Sequence, residues 1–134
     1  MATKTLISCD EFEALALAET VSPFAELIDG EIVEMAPGGW EHSHVSMTIG
    51  AILHAFVREQ KLGRVAGNEM GLHIRSELPR SRSADVAFIS YKRMPKGTRH
   101  KGFLPVPPEL IIEVLGKKTS WESIEDKVAD YHKT

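Results

Sequence analysis

Asp85 and Glu113 are acids set inside apolar, strand-like runs. Asp85 opens Asp85-Val86-Ala87-Phe88-Ile89, and Glu113 lies within Leu110-Ile111-Ile112-Glu113-Val114-Leu115. An ionised carboxylate in such a run is costly unless it is paired or binds a metal. Lys127 follows on the next predicted helix. Two carboxylates and a lysine near a strand pair suggest a divalent-metal site for phosphodiester chemistry. Hard cations such as Mg²⁺ take oxygen ligands, often one or two carboxylates together with water and substrate phosphate. A metal held this way polarises the phosphate and lowers the pKa of a bound water. The Val114 carbonyl could add a ligand.

Taken singly, each residue has a plainer explanation. Asp85 could cap a turn at a strand start. Glu113 could be a salt-bridged strand acid, and Lys127 a surface lysine lying along the apolar face of its helix. Other candidates are weaker. His42 and His44 do not share a helical face, so these two and His54 read as structural or surface histidines rather than transition-metal ligands. Gly38-Gly39 and Gly63-x-x-x-Gly67 lack the Gly-Lys-Ser/Thr of a phosphate loop. Cys9 has no catalytic partner and reads as a packed thiol.

The 134 residues suit one domain, with residues 1–22 as an N-terminal helical segment and 23–134 as the core. No apolar stretch approaches the ~20 residues that span a bilayer. The N-terminus lacks the apolar core of a secretory signal. A single cysteine excludes an internal disulfide and fits a cytoplasmic location. The net charge of −3 argues against a uniformly basic nucleic-acid binder, but the charges are segregated. Residues 1–41 carry nine acids and one base, Lys4. Residues 73–101 carry Arg75, Arg80, Arg82, Lys92, Arg93, Lys96, Arg99 and Lys101 against Glu77 and Asp85. Such a region could grip a phosphate backbone through Arg75, Arg82, Lys92 and Arg93. Two solvated surface loops would also account for it.

Several elements must position these groups. Ser8-Cys9-Asp10-Glu11 has the form of a capping box and predicts a helix over Cys9 to Leu17. Glu26 to Met35 reads as a hairpin around Asp29-Gly30. Val45, Ile49, Ile52, Leu53, Phe56 and Val57 give one apolar face to a long helix from His42 to Lys61. Short strands are expected at Arg64–Asn68 and Gly71–Arg75, and firmer ones at Asp85–Ser90 and Glu109–Leu115. The loop from Tyr91 to Pro108 is long for a compact domain, which suggests a functional or mobile segment. A final helix, Ser120 to His132, carries Trp121, Ile124, Val128 and Tyr131 on one face, with Thr119-x-x-Glu122 as a candidate cap. The order points to an α+β layout, α/β-like, around a mixed central sheet flanked by helices.

Together these runs resemble the PD-(D/E)XK nuclease superfamily and, within it, the Uma-type putative restriction endonuclease family. The carriers are Glu26-Leu27-Ile28-Asp29-Gly30-Glu31, Glu41-His42, Ser83-Ala84-Asp85-Val86-Ala87-Phe88, Pro108-Glu109-Leu110-Ile111-Ile112-Glu113-Val114-Leu115 and Lys127-Val128-Ala129-Asp130-Tyr131. The resemblance implies a restriction-endonuclease-like core with a Mg²⁺ or Mn²⁺ ion. Asp85 matches the motif aspartate and Glu113 the second metal ligand. The motif lysine is displaced to the following helix, at Lys127. Glu26 is the extra acid near the metal, and His42 orients substrate or a carboxylate. Ala84 stands where the family usually has proline, and Gly116 where it often has serine. The family continues past the Tyr131 helix into a further strand, so the expectation is a truncated or unusually short member.

The leading expectation is a metal-dependent endonuclease acting on DNA, with RNA also compatible and no membrane partner. The alternative is a catalytically inactive nuclease-fold module that binds nucleic acid or protein, with an unpaired sheet edge inviting a homodimer. A small interaction module with no nucleic-acid role is the third reading.

Overall fold

The computed structural model describes residues 2–117 and 119–134. Its elements run α1 (Cys9–Leu17), β1 (Glu26–Ile28), β2 (Glu31–Val33), α2 (Trp40–Glu59), β3 (Gly63–Ile74), β4 (Arg80–Ser90), β5 (Leu110–Ile112) and α3 (Trp121–Tyr131). The α+β expectation holds. The sheet, however, is antiparallel at every pairing rather than mixed.

Local chemistry explains the ends of these elements. Ser8 caps α1 in a reciprocal box with Glu11. Asp29 and Gly30 both take positive φ, 51° and 80°, as a two-residue hairpin turn of the primed type demands. A side chain at Gly30 would also strike Leu6, whose Cβ lies 2.7 Å from the position a Cβ would take. Ser120, not Thr119, caps α3; Thr119 Oγ1 instead accepts from the Gly116 N–H.

The organising strand is β4. Its whole length pairs with β3 along one edge, from Ile74↔Arg80 to Gly63↔Ser90. The opposite edge is shared end to end. β1 pairs there at Leu27↔Ser81, and β5 pairs at Val86↔Ile112 through Phe88↔Leu110. Between them, residues 82–85 have no strand partner on that edge. Backbone groups in such a notch must be satisfied by something else.

β3 reads in the sequence as two short strands, but it is one strand with a bulge. The register jumps between Gly67↔Val86 and Met70↔Ala84, so Asn68 and Glu69 together face Asp85. Both bulge residues take positive φ, 60° each, a conformation that costs about 1–2 kcal/mol per residue outside glycine.

The core has two parts. Phe12, Ala25 and Leu27 fasten α1 to the hairpin. Leu72, Ala84 and Ala87 pack beneath Leu104, Ile111 and Tyr131. Burying one Leu or Phe side chain contributes roughly 1.5–3 kcal/mol. The 91–108 loop supplies part of both clusters through Phe103 and Leu104. It is tied to the sheet by Leu104 N–H to Gly71 O and Tyr91 N–H to Leu62 O. Cys9 packs against the first cluster, its thiol donating to the Arg80 carbonyl. No helix among the described residues is long and apolar enough to cross a membrane.

Candidate functional site

The notch on β4 is filled by side chains. Glu26, at the start of β1, accepts the Ser83 N–H at 3.0 Å. Tyr131, at the end of α3, donates its hydroxyl toward the Ser83 carbonyl at 3.2 Å and also to Glu113. Asp85 accepts the Val114 N–H at 2.7 Å, just past the end of β5. Backbone groups that a continuous sheet would pair are thus held by three residues of the site.

Asp85, Glu113 and Lys127 come together, as the sequence leads one to expect. Lys127 Nζ lies 3.5 Å from Glu113 Oε2 and 3.8 Å from Glu26 Oε1. His42, from the first turns of α2, places Nε2 3.4 Å from Asp85 Oδ2, beside a carboxylate rather than at a separate phosphate grip. A fourth acid completes the group. The bulge in β3 sets Glu69 against Asp85, and sequence reasoning missed it. The available signal was Gly67-Asn68, two poor strand formers inside an otherwise continuous strand, which marks a bulge as well as a break.

Electrostatics follow from this crowding. Burial, then the charge of Asp85, push Glu69 up to about 7. Glu113 is also raised to about 7, chiefly by burial, with Asp85 adding to it and Lys127 and Tyr131 pulling the other way. Burial and the adjacent Glu113 raise the Tyr131 phenol as well. Negative charge here exceeds what Lys127 supplies. The donor set is entirely oxygen, which fits a hard divalent cation that keeps several of its waters. Asp85, Glu113 and Glu69 supply those oxygens, although they do not all stand within 4.8 Å of one another as a closed trio.

Glu26 does not fit the role of metal ligand. It is 2% exposed, with one oxygen on the Ser83 N–H and the other facing Arg82 and Lys127. Its place is behind the site. Arg82 likewise does not fit the role of phosphate grip. It is buried, donates to Asp130 and Asp126 at 2.8 Å and 2.6 Å, and faces Glu26 at 3.4 Å. Arg80 shares Asp130 and adds Asp29. These ion pairs seat α3 on β4, and Asp130, 1% exposed, is their hub.

The remaining basic residues do not form one patch. Arg75 follows β3 at the β3–β4 turn, whereas Lys92 and Arg93 follow β4 at its other end. An 11-residue strand separates them, roughly 35 Å of extended chain. Arg93 is engaged with Glu109 at 3.2 Å and with the Pro107 carbonyl at 2.8 Å. A cleft of about 510 Å³ opens beside the carboxylates, between α2 and the bulged strand pair. Phe24, Met47, Val65 and Val86 line it with His42, Glu69 and Asp85.

Comparisons with known proteins bear on the fold and the family. The crystal structure of a putative nuclease belonging to DUF820, from Anabaena variabilis ATCC 29413, superposes with a TM-score of 0.66 at 20% identity. The match covers 93% of this chain and 67% of that one, and at this identity it shows a shared fold. No curated protein matches the sequence. The model of the Uma2 family, described as putative restriction endonuclease, matches residues 9–134, so the chain belongs to that family.

Proposed function

We propose that this protein hydrolyses DNA phosphodiester bonds as a metal-dependent endonuclease. The observation that carries the reading is the meeting of Asp85, Glu113, Glu69 and Lys127, from four separate parts of the chain, in the notch of β4. Bound there, Mg²⁺ or Mn²⁺ would polarise the scissile phosphate and acidify a water. The protein's own groups prepare that chemistry. The Val114 N–H fixes the Asp85 carboxylate, and the Tyr131 hydroxyl fixes Glu113. Lys127 holds a positive charge beside Glu113, where it can stabilise charge developing on a phosphate oxygen. Crowding and burial raise Glu69 and Glu113 to about 7 without an ion, and a cation seated among them would favour their ionised forms. The cleft beside Asp85 gives the substrate an approach.

The test is nicking of supercoiled plasmid with Mg²⁺ or Mn²⁺ by wild type and Asp85→Ala, with a chelator control. Metal-dependent nicking that the substitution abolishes supports the reading. A folded wild type that retains DNA without cutting it, equally in Asp85→Ala, supports a catalytically inactive binding module instead.

A further inference from the structure

We infer that Asp10, Glu13 and His73 form a second cation site, distinct from the carboxylates around Asp85 and suited to a borderline ion such as Zn²⁺. Asp10 and Glu13 project from the first half of α1, and His73 from the end of β3. One ligand atom from each lies within 4.8 Å of the other two, and no other such trio of His, Cys or acids occurs among the described residues.

The histidine gives the second, independent argument. Its Nδ1 is 2.7 Å from Ser81 Oγ, its neighbour across the strand pair. Its Nε2 is sealed from solvent and has no hydrogen-bond partner. That nitrogen looks at Glu13 Oε2 from 3.7 Å, too far for a hydrogen bond. Two ligands of one tetrahedral ion, each about 2.0–2.2 Å from it, stand roughly 3.3–3.6 Å apart. The observed gap is therefore close to that of a shared ion.

Both partners are also steered from behind. Glu13 Oε1 accepts the Phe103 N–H at 2.5 Å, which turns Oε2 toward the histidine. The Phe103 ring packs against His73 with centroids 5.2 Å apart. Oriented ligands with outer hydrogen bonds are the usual setting of a metal-bound imidazole. His100 stands at the rim. A Cβ on Gly102 would fall 2.8 Å from Glu13 Oε1 and 3.2 Å from His100 Nε2, so glycine leaves both side chains room. One nitrogen and two carboxylates favour Zn²⁺, Co²⁺ or Ni²⁺ over Mg²⁺. Such an ion would clip α1 to the β3–β4 hairpin.

Isothermal titration of chelator-treated full-length protein with Zn²⁺, in wild type, His73→Gln, Asp10→Asn and Asp85→Asn, tests this. Co²⁺ absorption bands report nitrogen ligation in parallel. Asp10 is exposed, so its substitution leaves the fold intact if His73→Gln does not. The expected result is one Zn²⁺ site that weakens by at least about tenfold in His73→Gln and Asp10→Asn and persists in Asp85→Asn. Zn²⁺ binding that is absent from wild type, unchanged in Asp10→Asn, or lost only in Asp85→Asn overturns it.

Discussion

The two helices that reach the notch in β4 are attached in opposite ways. α2 is 20 residues long and carries the longest apolar stripe in the chain, yet only Val57 is buried. Ile52 is 67% exposed and Met47 73%. It meets the site through His42, and even a Cβ added at Gly50 would come no nearer than 3.8 Å to the Val86 side chain. α3 is shorter and polar, but it is bolted down by Asp126 and Asp130 against Arg80 and Arg82. Charge pairing thus does much to place Lys127 and Tyr131, with Tyr131 also packed against Leu72, Ala84 and Ala87. Apolar contact tolerates sliding, whereas guanidiniums shared among several carboxylates fix distance and angle.

The largest effect should come from cutting the hub. Asp130→Asn leaves Arg80 and Arg82 short of a buried partner, a change that costs about 3–5 kcal/mol in comparable settings. Urea unfolding should show a large drop in midpoint, and nuclease activity should fall with it as Lys127 loses its seat. An unchanged midpoint would mean α3 is held some other way.

Tyr131→Phe separates docking from chemistry. It keeps the ring in the core but removes the hydroxyl from Ser83 and Glu113, at a cost of about 1–3 kcal/mol. Plasmid nicking should fall more steeply than the unfolding midpoint.

Acidity probes the same corner. Glu69 and Glu113 sit at about 7 in the folded protein against an ordinary value of 4.5. Between those values the folded state keeps protons that the unfolded state has released, so stability falls as pH rises from about 4.5 to about 7 and then levels off. Thermal melts of metal-free protein should show that decline, and Glu69→Gln should flatten it. Added Mg²⁺ or Mn²⁺ should raise the melting temperature more at pH 8 than at pH 5.

The smallest effect belongs to α2. Ile52→Gln should move stability by no more than about 0.5 kcal/mol, since the side chain is already in solvent. A loss of several kcal/mol on urea unfolding would show that the stripe is covered in solution and that α2 is as firmly held as α3.

The same contrast explains what could be read from the sequence. α1 with its capping box, the Asp29-Gly30 hairpin, α2 and α3 were all legible because their signals are local. So was the gathering of Asp85, Glu113 and Lys127, once order and spacing were taken together. Glu69 was hidden because a bulge looks like a strand break in one dimension. Asp130 was hidden because an acid on an amphipathic helix reads as solvent-facing until its arginine partners are known. Arg82 was misread for the matching reason: a base in a basic stretch looks like surface, whereas three acids enclose it on a strand buried from Ser81 to Ala87. The 91–108 loop looked like a functional or mobile segment, because nothing local says that Phe103 and Leu104 close two cores.

The notch in β4 has one more consequence. The Ser83 amide and carbonyl can serve a neighbouring strand or the side chains of Glu26 and Tyr131, not both. Were β1 and β5 to lengthen toward each other and zip the sheet shut, the extra ladder bonds would evict the residues that hold the carboxylates. Sheet continuity and the carboxylate cluster compete here for the same few backbone atoms, and the brevity of two three-residue strands is what settles the competition in favour of the cluster.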